Sequence, residues 1–198
     1  QDIKKEIIEN QDVSIDMGLT YFCTTSGGEF VDNPNINQRT EKKLRRLNRK
    51  LSRAKKGSNN RVKVVNQIQR LHLKRERQRK DFLHKTSSIL AKDNSIVYLE
   101  DLKLSKMIQN KRYSKGISDV GWGYFRIMLE YKTNVHAVNP AYTSQTCSSC
   151  GNVDKENRKT QAEFKCINCG HTENADSNAC KEILKRGRAD LKSGKVKH

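Results

Sequence analysis

The chain has 198 residues, 34% of them apolar and 31% charged, with 40 Lys or Arg against 22 Asp or Glu. That length suits one main core with a small appended module and excludes several independent domains. No apolar run approaches the roughly 18 residues of a membrane span, so a soluble protein is expected, and so large a positive charge points to a polyanionic partner.

The opening QDIKKEIIENQDV lacks the basic-then-apolar pattern of a signal peptide, and the absence of an initiator Met suggests a fragment or a processed chain. The stretch VSIDMGLTYFCTTSGGEFV then reads as an antiparallel meander. Val13 and Ile15 form an apolar run ending at Asp16, Gly18 opens a bend, LTYFCTT is a second strand, and SGG turns into EFV as a third. An Asp at a strand end is ordinarily a cap or turn residue, so Asp16 alone carries little weight.

Residues 39–80 hold 18 Lys or Arg and 2 acids, so this segment carries +16 and the other 156 residues +2. Leu44, Leu47, Leu51 and Ala54 fall on one helical face, and Val65, Ile68, Leu71 and His72 on another, with the turn signal KKGSNN between. The pattern predicts two antiparallel helices with a narrow apolar seam and a basic exterior. A solvated hairpin would mix the signs to avoid self-repulsion, whereas a face nearly free of acids suits nucleic acid. Arg45, Arg46, Arg49, Lys50, Arg53, Lys55 and Lys56 are the candidate phosphate contacts.

Further on, SIVYLEDLKL is an apolar strand, Ile96 to Leu99, running into Glu100 and Asp101. In GWGYF, the rings of Trp122, Tyr124 and Phe125 either stack on a base or pack at a helix start, with Ile127, Leu129 and Tyr131 continuing an amphipathic run. NVHAVNPAY reads as the last strand region.

Cys147, Cys150, Cys166 and Cys169 have the spacing C-x2-C-x15-C-x2-C. Two intervening residues let both thiolates of a pair point to one side of a tight turn, and Gly151 and Gly170 follow where positive φ would close each knuckle. Redox pairs or two disulfides are the competing readings, and the duplicated knuckle with its following Gly argues against both. The expectation is a structural Zn2+ with no open coordination position, and a short β-hairpin excursion for the polar interval. Cys23 and Cys180 read as small buried apolar residues. Asp176 stands in ENADSNACKEILKRG, where Ala175, Ala179 and Ile183 or Leu184 recur at helical spacing; at a helix start, it could also be an N-cap.

Strand-end Asp16, strand-end Glu100 and helix-start Asp176 are the positions from which an RNase H-like sheet aims three carboxylates at one point. Such a set leaves room for two divalent cations roughly 3.5–4 Å apart that clamp a phosphodiester. Hard oxygen ligands select Mg2+ or Mn2+.

The succession IDMG, the basic pair with LSRAKKGSNN, RQRKDFLHKTS, VYLEDLKL, GWGYFRIMLEYK, VNPAYTSQTCSSCG and ADSNAC resembles, in the same order, the C-terminal portion of the TnpB/OrfB proteins of insertion sequences, relatives of the type V CRISPR effectors. The resemblance covers essentially the whole chain. It implies an α/β RNase H-like (RuvC) fold, a mixed sheet with flanking helices, a basic helical hairpin and an inserted zinc ribbon. It divides the chain into a nuclease core at 1–142 with the hairpin at 39–93, a ribbon at 143–172, and a helix completing the core at 173–198. It also implies RNA-guided DNA cleavage in a prokaryotic cytoplasm, with DNA and guide RNA as partners and Asp16, Glu100 and Asp176 as catalytic carboxylates. The alternatives are a nuclease-inactive nucleic-acid-binding module or repressor, or a transposase that also joins strands. The family's N-terminal part, which grips the guide RNA, is not in this sequence; the passage from Tyr131 to Pro140 is shorter than usual, and Cys180 stands where Ala is common.

Overall fold

The structure is a computed structural model that describes residues 12–194, without the side chains of 111–113 and 115. The leaderless reading of the first residues concerns mostly 1–11, which lie outside the described part. No helix among the described residues is long and apolar enough to cross a membrane.

A mixed five-stranded sheet forms the centre, in the order β3-β2-β1-β4-β5. β1 (Asp12–Met17), β2 (Tyr21–Thr25) and β3 (Phe30–Asp32) make the expected antiparallel meander, while β4 (Ile96–Glu100) runs parallel to β1 and β5 (Asn134–Val138) parallel to β4. β4 lies between two parallel neighbours, which explains its nearly continuous apolar run, whereas β1 alternates Asp12, Ser14 and Asp16 with Val13, Ile15 and Met17.

Period-two alternation decides what each face receives. Val13, Ile15, Val97 and Leu99 join a core with Phe22, Leu83, Trp122, Phe125 and Leu129. Phe22 meets Phe82 and Phe125 edge-on, with ring centroids 4.9 and 4.7 Å apart. Fully burying one such side chain contributes about 1.5–3 kcal/mol. On the opposite face, Tyr98 packs with Val138 and with Ile183 of helix α6 (Ala175–Lys192), and the buried Ser14 hydroxyl donates to the Cys180 carbonyl. Asp16 and Glu100 follow in the same alternation, on the α6 side.

Helices α1 (Ile36–Arg53) and α2 (Asn59–Asp93) form the predicted antiparallel arm. The turn works as its residues suggest: Gly57 adopts φ 78°, and the Ser58 hydroxyl accepts the Arg61 amide at 3.2 Å to cap α2. The Arg61 guanidinium donates to the Leu51 carbonyl at 2.8 Å, satisfying an open acceptor at the end of α1. The seam differs from expectation in one place. His72 is exposed, and Arg75, one turn beyond Leu71, is buried, donating to the Thr40 hydroxyl and to Asn37 O. A buried guanidinium with such partners continues a seam that apolar periodicity misses.

Between β4 and β5 lie α3 (Leu104–Gln109), α4 (Lys111–Val120) and α5 (Trp122–Glu130). Trp122, Phe125, Met128 and Leu129 are buried, so the first two rings pack as helix-start residues, but Tyr124, Ile127 and Tyr131 are more than half exposed. The expected amphipathic run is thus rotated: Met128 takes the inner position that Ile127 was assigned. A tight link through Thr133 then enters β5. Beyond β5 the chain makes the cysteine knuckles, with strands β6 (Glu163–Lys165) and β7 (Thr172–Asn174) pairing around the second.

Candidate active site and cysteine cluster

The parallel register sets Ile15 beside Leu99, so the next residues of the two strands, Asp16 and Glu100, stand together on the face covered by α6. Asp176 enters from the first turn of α6. It does not cap the helix. Asn174 does, its side-chain oxygen accepting the amides of Asp176 and Ser177 at 2.9 and 3.2 Å, which leaves the Asp176 carboxylate for other partners.

Asp16 feels the charge of both other acids. Enclosure of the Asp16 carboxyl raises its pKa to about 8, with further contributions from Glu100 and Asp176 and relief from Arg158. Burial also raises Glu100, against the Thr143 hydroxyl bond and the Arg186 and Arg158 charges, and it raises Asp176 against Arg158. Repulsion at Asp16 favours a positive charge beside it. Among the described residues, the group of three or more His, Cys, Asp or Glu placed to share one metal ion is the four cysteines, whose sulfurs all lie within 4.8 Å of one another.

Two side chains serve this cluster that sequence reasoning missed. The Thr143 hydroxyl donates to Glu100 Oε1 and Pro140 O. Arg158, in the interval between the cysteine pairs, reaches Asp176 Oδ1 at 3.5 Å while donating to Gln161 O at 3.0 Å. Nothing in the local sequence marks either residue; only the fold carries Arg158 to the acids. Its base is fixed by Asn157, fully buried, whose amide donates to Gln145 O and Asn152 O and accepts the Ile167 amide.

The cysteine module is built as two copies of one turn. Gly151 and Gly170 have φ 78° and 74°, as expected, and their amides close on Cys147 O and Cys166 O at 2.8 and 3.0 Å. Cys147 N and Cys166 N in turn bond Asn152 O and His171 O. The interval between the pairs holds a short 3-10 turn, Lys155–Asn157, and a single-bridge hairpin, Arg158 to Phe164. The sulfurs of Cys147 and Cys169 lie 3.8 Å apart and those of Cys150 and Cys166 3.6 Å. A tetrahedron with metal–sulfur bonds of about 2.3 Å has edges near 3.8 Å, so the set fits a metal ion. Cys23 and Cys180 are buried and outside it, Cys180 Sγ donating to Thr24 O at 3.0 Å.

Helix α6 grips the first knuckle. Buried Asn178 accepts the Ser148 amide at 3.0 Å and donates to Thr146 O at 2.8 Å. Two turns on, Arg186 donates to Thr146 Oγ1 and Ala141 O while paired with Glu182 at 2.7 Å. The cysteine turn and the Asp176 helix therefore form one bonded unit.

Arg45, Arg46, Arg49, Lys50, Arg53, Lys55 and Lys56 are all exposed, Arg45 in a pair with Glu41 at 3.0 Å. Arg46 and Lys50 line an open groove of about 460 Å³ with Lys43 of α1 and Arg70 and Lys74 of α2, three cations that the sequence reading did not single out.

Comparison with known proteins bears on this arrangement. Residues 1–111 match the family model OrfB_IS605, described as a probable transposase, and residues 122–183 match the Cas12f1-like TNB domain. The chain is 40% identical over 204 residues to InsQ of Escherichia coli (strain K12), which carries the name of an RNA-guided DNA endonuclease; the match covers 93% of this chain and 51% of InsQ. It is 42% identical over 80 residues to the CRISPR-associated endodeoxyribonuclease Cas12f1 of Sulfoacidibacillus thermotolerans, 34% of this chain and 19% of that protein. The chain spans about half the length of the curated relatives it matches. Its fold is similar to that of Cas12f1 solved with single guide RNA and target DNA, with a TM-score of 0.56 at 22% identity over 86% of this chain and 48% of that one.

Proposed function

The chain belongs to the OrfB_IS605 (TnpB) family, and from that premise we propose that it is the RuvC-like nuclease and zinc-ribbon portion of an RNA-guided DNA endonuclease. The observation that carries the reading is the meeting of Asp16, Glu100 and Asp176 on one face, at two parallel strand ends and a helix start.

In this reading Asp16, Glu100 and Asp176 hold Mg2+ or Mn2+. Divalent cations held there would supply charge to offset a phosphate and to lower the pKa of a water. The Thr143 hydroxyl aims Glu100, and Arg158 offsets the negative charge until cations enter. Arg158 also bears on the strand to be cut, because a guanidinium at the site supplies a cation for a phosphate oxygen. The four cysteines hold Zn2+, which closes both knuckles and so fixes Arg158 and the start of α6. The cations of α1 and the groove hold a phosphate backbone, in keeping with a guide–target duplex. DNA and a guide RNA are its proposed partners, as the names of InsQ and the Cas12f1 complex indicate for those proteins.

The test is a cleavage assay of the full-length protein with its co-purified RNA, in Mg2+ and in Mn2+. Wild type should cut target DNA, and Asp16→Ala should bind it without cutting. Affinity without cutting by the wild type would leave a nucleic-acid-binding module instead.

A further inference from the structure

Tyr142 has φ 63°, in the left-handed region that β-carbon sterics close to bulky residues. Among the described residues, the other non-glycine there is Asn35, whose short polar side chain tolerates it better. The conformation is held from both sides. The Tyr142 carbonyl accepts the amides of Gln145 and Thr146, each at 3.0 Å, and the Thr146 hydroxyl at 2.8 Å, while Arg186 donates to the preceding carbonyl, of Ala141, at 2.6 Å. What this turn presents is a tyrosine 63% exposed, whose hydroxyl has no hydrogen bond and whose ring makes no ring contact among the described residues. The next residue, Thr143, is buried and donates to Glu100.

One turn thus fixes a carboxylate through Thr143 and, one residue earlier, holds an unused aromatic face in solvent. Strained backbone kept by surrounding bonds is a feature of ligand-contacting sites. An aromatic face without a hydrogen-bonding role offers stacking, which every base accepts. We propose that Tyr142 is a binding residue that stacks on a base of the unpaired strand lying at the carboxylates, and thereby sets which phosphodiester of that strand is presented. The occupant is a single strand, since bases within a duplex already stack on each other. The inference rests on the nuclease reading above and deepens it.

The experiment uses the full-length protein with its RNA and a series of target strands carrying 2-aminopurine at successive positions. Fluorescence is read without Mg2+ or Mn2+, and cutting with them. Wild type should quench the probe at one position, with rescue in Tyr142→Phe and Tyr142→Trp. Tyr142→Gly and Tyr142→Ala should lose that quench and raise KM for cutting roughly 5- to 150-fold, with a small change in kcat, the range expected for losing one stacked base. Tyr142→Gly decides between roles, because it relieves the backbone while removing the ring. If it quenches and cuts as wild type does, the residue only makes a turn and the inference fails; cutting by wild type with no quenched position overturns it as well. A wild type that quenches through Tyr142 but never cuts sinks the nuclease reading and leaves the stacking contact standing.

Discussion

Replacing Gly187 by Ala tests whether the seat of α6 on the sheet governs both stability and the carboxylate cluster. A β-carbon at 187 would lie 2.1, 2.6 and 2.7 Å from Cδ1, Cε1 and Cγ of Tyr98. Carbon pairs are at their optimum near 3.5–4.0 Å, so roughly 1 Å or more must be found. The ring has little room to move: it is 1% exposed and lies edge-on to His136 at 5.8 Å. The helix must therefore lift. Overpacking costs about 1–3 kcal/mol, and at 2–4 °C per kcal/mol for a chain of this size the melting temperature should fall by about 2–12 °C. The same displacement carries Asp176, and a misplacement of about 1 Å costs on the order of 100-fold in rate. Thermal melts by circular dichroism and single-turnover cleavage by the full-length protein measure the two effects. Gly116→Ala is the control, since its β-carbon meets only the flexible end of Leu19 at 3.2 Å. A Gly187→Ala protein that melts and cuts like wild type would refute the argument.

Removing zinc with a chelator should expose the α6 start and the knuckles to hydrogen exchange, because Asn178 and Asn157 hold backbone that the metal closes; unchanged protection around Asp176 would count against the coupling. Nucleic-acid affinity should fall by about a thousandfold or more between 50 and 200 mM salt if six or more phosphates are neutralised, and a flat response would reject the basic arm as a phosphate contact. The pH dependence has a definite sign. A carboxyl whose folded pKa lies near 8, above the ordinary 3.8, binds its proton more tightly when folded, so its contribution to stability is full below about pH 4 and is lost as pH rises towards 8. Asp16→Asn should accordingly melt a few degrees above wild type at pH 8 without divalent cations, and the gain should vanish near pH 4. Because cations compete with that proton, the pH midpoint of cutting should fall as Mg2+ concentration rises; a midpoint indifferent to Mg2+ would oppose metal binding at Asp16.

Features encoded by a few neighbouring residues were legible in the sequence. The Gly57–Ser58 turn, the glycines after each cysteine pair and the strand-end positions of Asp16 and Glu100 need no distant partner, and they occur where expected. What escaped depends on the fold. Arg75 is hidden from apolar periodicity because its charge is satisfied by Thr40 and Asn37, more than thirty positions earlier. In ENAD, both Asn174 and Asp176 suit a helix cap, and only the folded chain decides for Asn174, whose side chain takes the amides of Asp176 and Ser177. Thr143 and Arg158 belong to the cluster only through hydroxyl and guanidinium contacts made after the module docks on α6. On α5, Ile127 and Met128 are equally apolar, and only the side taken by α2 and β5 decides which one is buried.

The strand order has a consequence for synthesis. β1 lies against β4, whose residues follow about 80 positions later, and the third carboxylate arrives on α6 after nearly as many again. At about 5–20 residues per second, several seconds separate the appearance of Asp16 from that of Glu100, and several more precede Asp176. A chain still on the ribosome therefore carries its acids apart, and the three carboxylates cannot gather until α6 has joined the sheet.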